Sequence, residues 1–228
     1  MSLVKLKKVK KVYQEGQVAV EALRGIDLEV EKGEFTTVFG PSGSGKTTML
    51  NLVGALDKPT EGQVHINGDS IGELNKNQLA LLRRHNIGFI FQSYNLIPVL
   101  TAYENVEFAL RIARGKQGEE TKKMVTEILT KVGLGEMLDR RPNELSGGQK
   151  QRVAVARALV KEPKLVLADE PTANLDSETS KEVLELMVKI NKELHTTFIF
   201  STHDPMVMEY ANRLLEIRDG QISREERR

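Results

Sequence analysis

Residues 34–56 read Glu34-Phe35-Thr36-Thr37-Val38-Phe39, then Gly40-Pro41-Ser42-Gly43-Ser44-Gly45-Lys46-Thr47-Thr48, then Met49-Leu50-Asn51-Leu52-Val53-Gly54-Ala55-Leu56. A β-branched and aromatic run enters a glycine-rich turn, and the turn enters a segment whose Met49, Leu52, Val53 and Leu56 recur at helical spacing. The order is strand, loop, helix. The loop fits G-x-x-x-x-G-K-[ST], and each position has a physical role around a polyphosphate. Glycines let the backbone turn its N–H groups inward, so the loop and the helix start behind it form an anion cradle. Lys46 reaches toward the β- and γ-phosphates, and Thr47 offers a hydroxyl to Mg²⁺. Which class of nucleotide protein this is depends on the rest of the chain.

At 228 residues the chain has room for one large α/β domain or two small ones. A net charge of +1 provides no basic field for nucleic acid, and no basic stretch does so locally. The absence of cysteine excludes disulfides and thiolate metal sites, and the four histidines have no ligand-like spacing. No run approaches the roughly 18 apolar residues of a membrane span, and the lysine-rich start has no signal-like apolar stretch behind it. The expectation is a cytoplasmic chain that meets a membrane only through a partner.

Upstream of the loop, Leu3–Val12, Val18–Leu23, Ile26–Val30 and Phe35–Phe39 read as short strands of a small antiparallel sheet, which Gln63–Asp69 completes. Tyr13 ends the first of these, where a ring suits either an adenine face or an ordinary half-buried strand position. Leu74–Arg84 has helical pattern, and Ile87–Phe91 reads as a buried strand with Gln92 just past its carboxyl end, the place where α/β sheets put ligand contacts.

From about residue 93 to 160 the character turns helical, with amphipathic stretches at Glu104–Ala113 and Thr121–Val132 and a stop at Gly133. The segment reads as an insertion between two core strands. Its apolar, proline-broken tip, Asn95–Thr101, suits internal packing or an exposed docking surface. Leu145-Ser146-Gly147-Gly148-Gln149 then opens a helix, with Ser146 as N-cap, and makes a second helix start suited to an anion.

Leu165–Glu170 is an apolar strand ending in two carboxylates; the first can hold Mg²⁺, usually through water, and the second can polarise an attacking water. Ser177 is read as the cap of a helix to about Leu194. Thr197–Thr202 is another buried strand, ended by His203. Strand, helix, strand makes a right-handed βαβ unit, which brings Glu170 and His203 to one edge of a parallel sheet near the phosphate loop. There His203 suits a γ-phosphate contact.

Tyr13, the Gly40–Thr48 loop, Gln92, Leu145–Gln149, Leu165–Glu170, Asn174-Leu175-Asp176 and His203, in this order, resemble the full motif set of an ABC-type ATPase. Phe91–Pro98, Glu104-Asn105-Val106 and Ala168–Asp176 resemble the branch that serves lipoprotein-release, macrolide-efflux and cell-division complexes. The resemblance implies a single domain over 1–228: a P-loop core with a mainly parallel sheet, an N-terminal antiparallel β part and an inserted helical part at about 93–160. It implies ATP and Mg²⁺. Tyr13 would stack on adenine, while Ser42, Gly43, Ser44, Gly45, Lys46, Thr47 and Thr48 would wrap the phosphates.

Thr47, Gln92 and Asp169 would meet the metal or its water shell. Glu170 would be the general base, with Lys46, Gln92 and His203 completing the catalytic set. Ser146, Gly147, Gly148 and Gln149 would grip ATP bound to a second copy of the chain. The implied partners are that second copy, in a head-to-tail ATP-dependent dimer, and transmembrane permease subunits at the cytoplasmic face. An ATPase for a cell-division-type complex, or a soluble ABC protein, would use the same chemistry with a different partner. Ala173-Asn174-Leu175-Asp176 departs from the Ser-Ala-Leu-Asp of many relatives, in a segment tied to communication between the two sites.

Overall fold

The computed structural model describes residues 2–16, 18–115 and 118–228, arranged around two sheets. The first sheet holds β1 (Ser2–Glu15), β2 (Val18–Glu31), β4 (Glu61–Ile66) and β5 (Asp69–Ser70) in the order β2-β1-β4-β5, antiparallel throughout. The second holds β3 (Phe35–Phe39), β6 (Ile87–Phe91), β7 (Leu165–Asp169), β8 (Thr197–Thr202), β9 (Arg213–Arg218) and β10 (Gln221–Arg227). Its order is β10-β9-β3-β8-β7-β6, and every pair is parallel except β9 with β10.

Two sequence expectations change here. Val18–Leu23 and Ile26–Val30 are one strand, interrupted at Gly25 (φ +89°), where the register slips by a residue between the Val9–Ile26 and Lys10–Arg24 pairs. A bulge of this kind bends a strand without ending it. Phe35–Phe39 is no part of the antiparallel sheet: it runs through the middle of the parallel one, between β8 and β9. Its first four residues are buried, the condition of a strand covered on both faces.

Helix α1 (Lys46–Val53) lies between the sheets. Met49, Leu52 and Val53 meet Leu6, Val64 and Ile66 from the antiparallel sheet and Leu167, Ile199 and Leu215 from the parallel one in a single apolar cluster. The opposite face of the parallel sheet offers Phe35, Phe198 and Phe200, whose rings lie within 4.5–5.7 Å of one another. Phe198 and Phe200 point one way and Ile199 the other, as the period of two requires.

α2 (Lys76–Asn86) precedes β6, and α3 (Ala102–Arg114), α4 (Glu119–Lys131) and α5 (Gly147–Leu159) stand between β6 and β7. α5 reaches back onto the core beside Gly88, where a Cβ would come within 2.7 Å of the Ala158 carbonyl oxygen. Buried Asn105 organises the tip before α3: its amide nitrogen donates to the carbonyls of Ile97, Leu100 and Thr101, and its oxygen accepts from the Ile97 N–H. In that tip Leu96 packs inward while Val99 stays 72% exposed. α6 (Ser177–Leu194) and α7 (Pro205–Glu209) flank β8. The cap of α6 is Asp176, one residue before the expected Ser177, and it accepts from the Thr179 N–H at 2.9 Å and the Thr179 hydroxyl at 2.7 Å.

Candidate functional site

Parallel register brings the candidate residues to one edge. Phe39 stands opposite Thr202, Asp169 opposite Ser201 and Phe91 opposite Asp169. The chain therefore leaves β3, β8, β7 and β6 at a common level, and the next residues are Gly40, His203, Glu170 and Gln92. This is the carboxyl edge, where open α/β sheets place ligands.

The Gly40–Thr48 loop is held by tight backbone approaches. A Cβ on Gly40 (φ +147°) would lie 2.0 Å from the Ile217 carbonyl oxygen, and one on Gly45 (φ +109°) would lie 2.7 Å from that of Ala22. The Gly220 N–H donates to the Ser44 carbonyl at 2.9 Å, tying the loop to the β9–β10 turn. Gly45 caps α1 with no side chain, and the first turn has no acidic residue. The helix start thus presents unshared N–H groups and a positive dipole end.

Lys46 folds back across the loop, its ammonium donating to the carbonyls of Gly40 and Pro41 at 2.8 and 2.9 Å. The Ser44 hydroxyl is buried without a protein partner. A cradle of free N–H groups, a hydroxyl and an ammonium suits a polyphosphate. Among the described residues no cluster of three His, Cys, Asp or Glu side chains forms an all-protein metal cage. The residues the sequence singles out for a metal, Thr47, Gln92 and Asp169, offer a hydroxyl, an amide oxygen and a carboxylate, oxygen donors of the kind a hard cation takes.

Ser201 and Thr202, which the sequence left without a role, organise the carboxylates. The buried Ser201 hydroxyl donates to Asp169 Oδ1. The Ser201 carbonyl accepts from the Glu170 N–H at 2.9 Å, and the Thr202 hydroxyl lies 3.4 Å from Glu170 Oε2. Glu170 has φ +47°, a left-handed conformation that costs roughly 1 kcal/mol for a side chain with a Cβ. Its carboxylate is 18% exposed, and Oε1 lies 2.7 Å from Nδ1 of the largely exposed His203. The sequence signal was available: β8 ends Ser-Thr after an apolar run, hydroxyls at the same edge as two acids.

Tyr13 stands at the flank of α1. Its hydroxyl donates to Asp57 Oδ2 at 3.0 Å, and the Lys11 ammonium sits 4.8 Å from its ring centroid while bonding Asp57 Oδ1 at 2.8 Å. Burial and the neighbouring Asp57 carboxylate push the phenol above its usual value, and the Thr48 hydroxyl partly opposes them. One ring face therefore carries Lys11. Asp57, the anchor of this group, had no motif to announce it.

Ser146–Gln149 are not brought to the Gly40 loop. A Cβ on Gly147 would lie 3.2 Å from Leu175 Cδ2 and 3.3 Å from the Tyr94 hydroxyl, and one on Gly148 would lie 2.3 Å from Thr179 Cγ2. Gln149 closes a reciprocal cap with Ser146: its side-chain oxygen accepts from the Ser146 N–H at 2.9 Å, and the Ser146 hydroxyl accepts from the Gln149 N–H at 3.3 Å. Gln92 has an exposed side chain, and its carbonyl accepts from Asn174 Nδ2 at 2.9 Å.

The ABC transporter family model matches residues 23–173. A macrolide export ATP-binding/permease protein of Syntrophobacter fumaroxidans is 47% identical over 99% of the chain, which spans only 32% of that relative's length. An uncharacterised ABC transporter ATP-binding protein of Thermotoga maritima is 48% identical, with 99% of this chain and 96% of that one covered. Among solved structures, an ATP-binding cassette of Methanocaldococcus jannaschii, described as a dimer in a post-hydrolysis state bound to ADP and Pi, superposes with a TM-score of 0.90. It is 46% identical, and 98% of each chain is covered.

Proposed function

This chain belongs to the ABC transporter family, and from that premise we propose that it binds and hydrolyses ATP as the nucleotide-binding subunit of a membrane transport complex. The observation that carries the reading is the shared level of four parallel strand ends, which sets the cradle, Asp169, Glu170 and His203 along one edge. In this reading the chain is one unit over 1–228, and its helical part, about 93–160, is the arm that meets its neighbours.

Ser42–Thr48 wrap the phosphates with backbone N–H groups, and Lys46 exchanges its loop carbonyls for phosphate oxygens. Thr47, Gln92 and Asp169 would hold Mg²⁺, which when bound neutralises charge on the β- and γ-phosphoryl oxygens. Ser201 keeps Asp169 aimed. Glu170 accepts a proton from the attacking water, and its low exposure and its bonds from Thr202 and His203 orient it for that. His203, largely exposed just past β8, holds Glu170 through Nδ1 and offers its other ring nitrogen to the γ-phosphate.

Ser146–Gly148 lie away from their own cradle, as helix-start donors meant for another chain's nucleotide would. Two copies therefore close head to tail on two ATP molecules, and closure lasts only while the γ-phosphate joins them. None of the described helices is long and apolar enough to cross a membrane. The work is passed to permease subunits at the cytoplasmic face, in a branch that includes macrolide exporters.

Glu170→Gln tests the reading. Its turnover is expected to fall by about 10²–10⁴-fold with ATP affinity kept and a long-lived dimer in Mg-ATP by light scattering. Hydrolysis near the wild-type rate would remove Glu170 as the base. Pull-down of that variant from solubilised membranes with Mg-ATP then identifies the partner. A permease with several spans supports transport, and a single-span protein points to a division-type complex.

A further inference from the structure

β9 and β10 are joined by the two-residue turn Asp219-Gly220, with Arg218 paired to Gln221 across it. Both turn residues are left-handed, φ +48° and +76°, the geometry of a type I′ hairpin, which favours the sequence Asp-Gly. A turn that only reverses the chain stands in solvent, but Gly220 is buried. A Cβ on it would lie 2.8 Å from the Ala22 carbonyl oxygen and 3.2 Å from Leu23 Cα.

Gly220 bonds in two directions. Its carbonyl accepts from the Arg24 N–H at 2.8 Å, which fastens the turn to β2, and its N–H donates to the Ser44 carbonyl at 2.9 Å. The Gln221 side chain adds a bond to the Arg24 carbonyl at 3.3 Å. From the other side, Gly45 closes on the same Ala22 carbonyl and on Gly220 Cα, and Gly40 closes on the Ile217 carbonyl just ahead of the turn. Hairpin and phosphate loop thus meet backbone to backbone, with no room for a side chain at any of the three glycines.

A trans peptide is planar, with its C=O and N–H on opposite sides. Holding the Ser44 carbonyl toward Gly220 therefore turns the Gly45 N–H away from the hairpin, and Gly45 is the cap position of α1. In the function proposed above, that is the phosphate side. We propose that Gly220 is a positioning residue for the phosphate cradle: its N–H fixes the Ser44–Gly45 peptide so that the Gly45 N–H is aimed at the nucleotide before it arrives. A donor already aimed needs no reordering when the phosphate binds.

This inference rests on the ATP-binding reading, and the test carries a control for it. The Gly220 N–H can be deleted without adding a side chain, in a semisynthetic full-length chain whose Asp219–Gly220 amide is an ester. The pieces are joined at Ala211 through a temporary cysteine that is desulfurised to alanine, and the chain has no other cysteine to be altered. Against an all-amide chain made in the same way, both with Glu170→Gln, ATP affinity by calorimetry should fall about 3- to 10-fold, the worth of one hydrogen bond. The Gly45 amide resonance, which ATP moves downfield as the N–H meets a phosphate oxygen, should move less in the ester. Gly220→Ala, which pushes the turn off Ala22, should lose at least as much affinity. Gly115→Ala imposes left-handed strain (φ +66°) after α3 with nothing within 4 Å, and should lose none.

Full affinity in the ester overturns the proposal, and the ester decides alone where Gly220→Ala does not fold. Weaker affinity with an undiminished Gly45 shift places the effect elsewhere and also overturns it. So does an equal loss in Gly115→Ala, which marks general destabilisation. An all-amide chain that binds no ATP overturns the function reading itself, and the inference with it.

Discussion

Lys161 follows α5, and its ammonium donates to the Arg83 carbonyl in the last turn of α2 at 2.8 Å. Burial pulls this lysine from its ordinary 10.5 down to about 8. Below pH 8 both folded and unfolded chains hold the proton, and folding bears the full cost of burying the charge. Between about 8 and 10.5 the unfolded chain keeps a proton that the folded chain has released, so stability rises with pH. At ~1.36 kcal/mol per pH unit, the step from 10.5 to about 8 gives about 3 kcal/mol in all.

The measurement is paired urea unfolding of wild type and Lys161→Met at pH 7, 8.5 and 10. With no cysteine in the chain, alkaline conditions bring no thiol chemistry. Wild type is expected to gain about 2.5 kcal/mol on Lys161→Met across this interval, most of it above pH 8, since the unfolded lysine is not fully deprotonated at pH 10. The absolute difference at pH 7 also contains the lost bond to Arg83, but its slope with pH does not, since the neutral amine can still donate. Parallel stability curves for the two proteins would refute the argument that burial, and not the bond, dominates this lysine.

Lys46→Ala removes both the proposed phosphate contact and the two bonds that fold the lysine over its loop, so ATP affinity by fluorescence titration should fall at least about tenfold; unchanged affinity counts against the cradle. Gly40→Ala forces a Cβ against the Ile217 carbonyl at a φ that side chains avoid, and chemical denaturation should show a loss of about 2–4 kcal/mol. Asp176→Ala deletes the α6 cap and should lower Tm by about 2–4 °C near neutral pH. Hydrogen bonds from Thr179 hold the Asp176 carboxyl below its ordinary 3.8, so the deficit is full above that pH and closes as acid protonates the folded form; a constant deficit down to pH 2 contradicts the assignment.

Much of this molecule was legible in one dimension because its chemistry is local. The strand–loop–helix around Gly40–Thr48 depends on glycines, a lysine and a helical apolar period within a couple of dozen residues. Acids after an apolar strand, and a serine with glutamine three residues on, declare a strand end and a capped helix start in the same way. The sheet edge that gathers Glu170 and His203 followed from the handedness of a βαβ unit, a rule that needs only element order.

What the tertiary structure decided involves partners far apart in the chain. Phe35–Phe39 has the composition of either sheet, and only its pairing with residues 198–202 and 213–216 places it in the parallel one. Ser201 aims Asp169 from 32 positions away, and Asn174 reaches Gln92 across 82. Val18–Leu23 and Ile26–Val30 read as two strands, yet the neighbouring ladder of β1 carries the chain through Gly25 as a bulge. A hydrogen bond between distant residues leaves no periodicity and no spacing, because it depends on where packed elements bring the two groups. The candidate site residues are thus written in short runs, while the bonds that Ser201 makes to Asp169 and Asn174 makes to the Gln92 carbonyl exist only once distant elements have met.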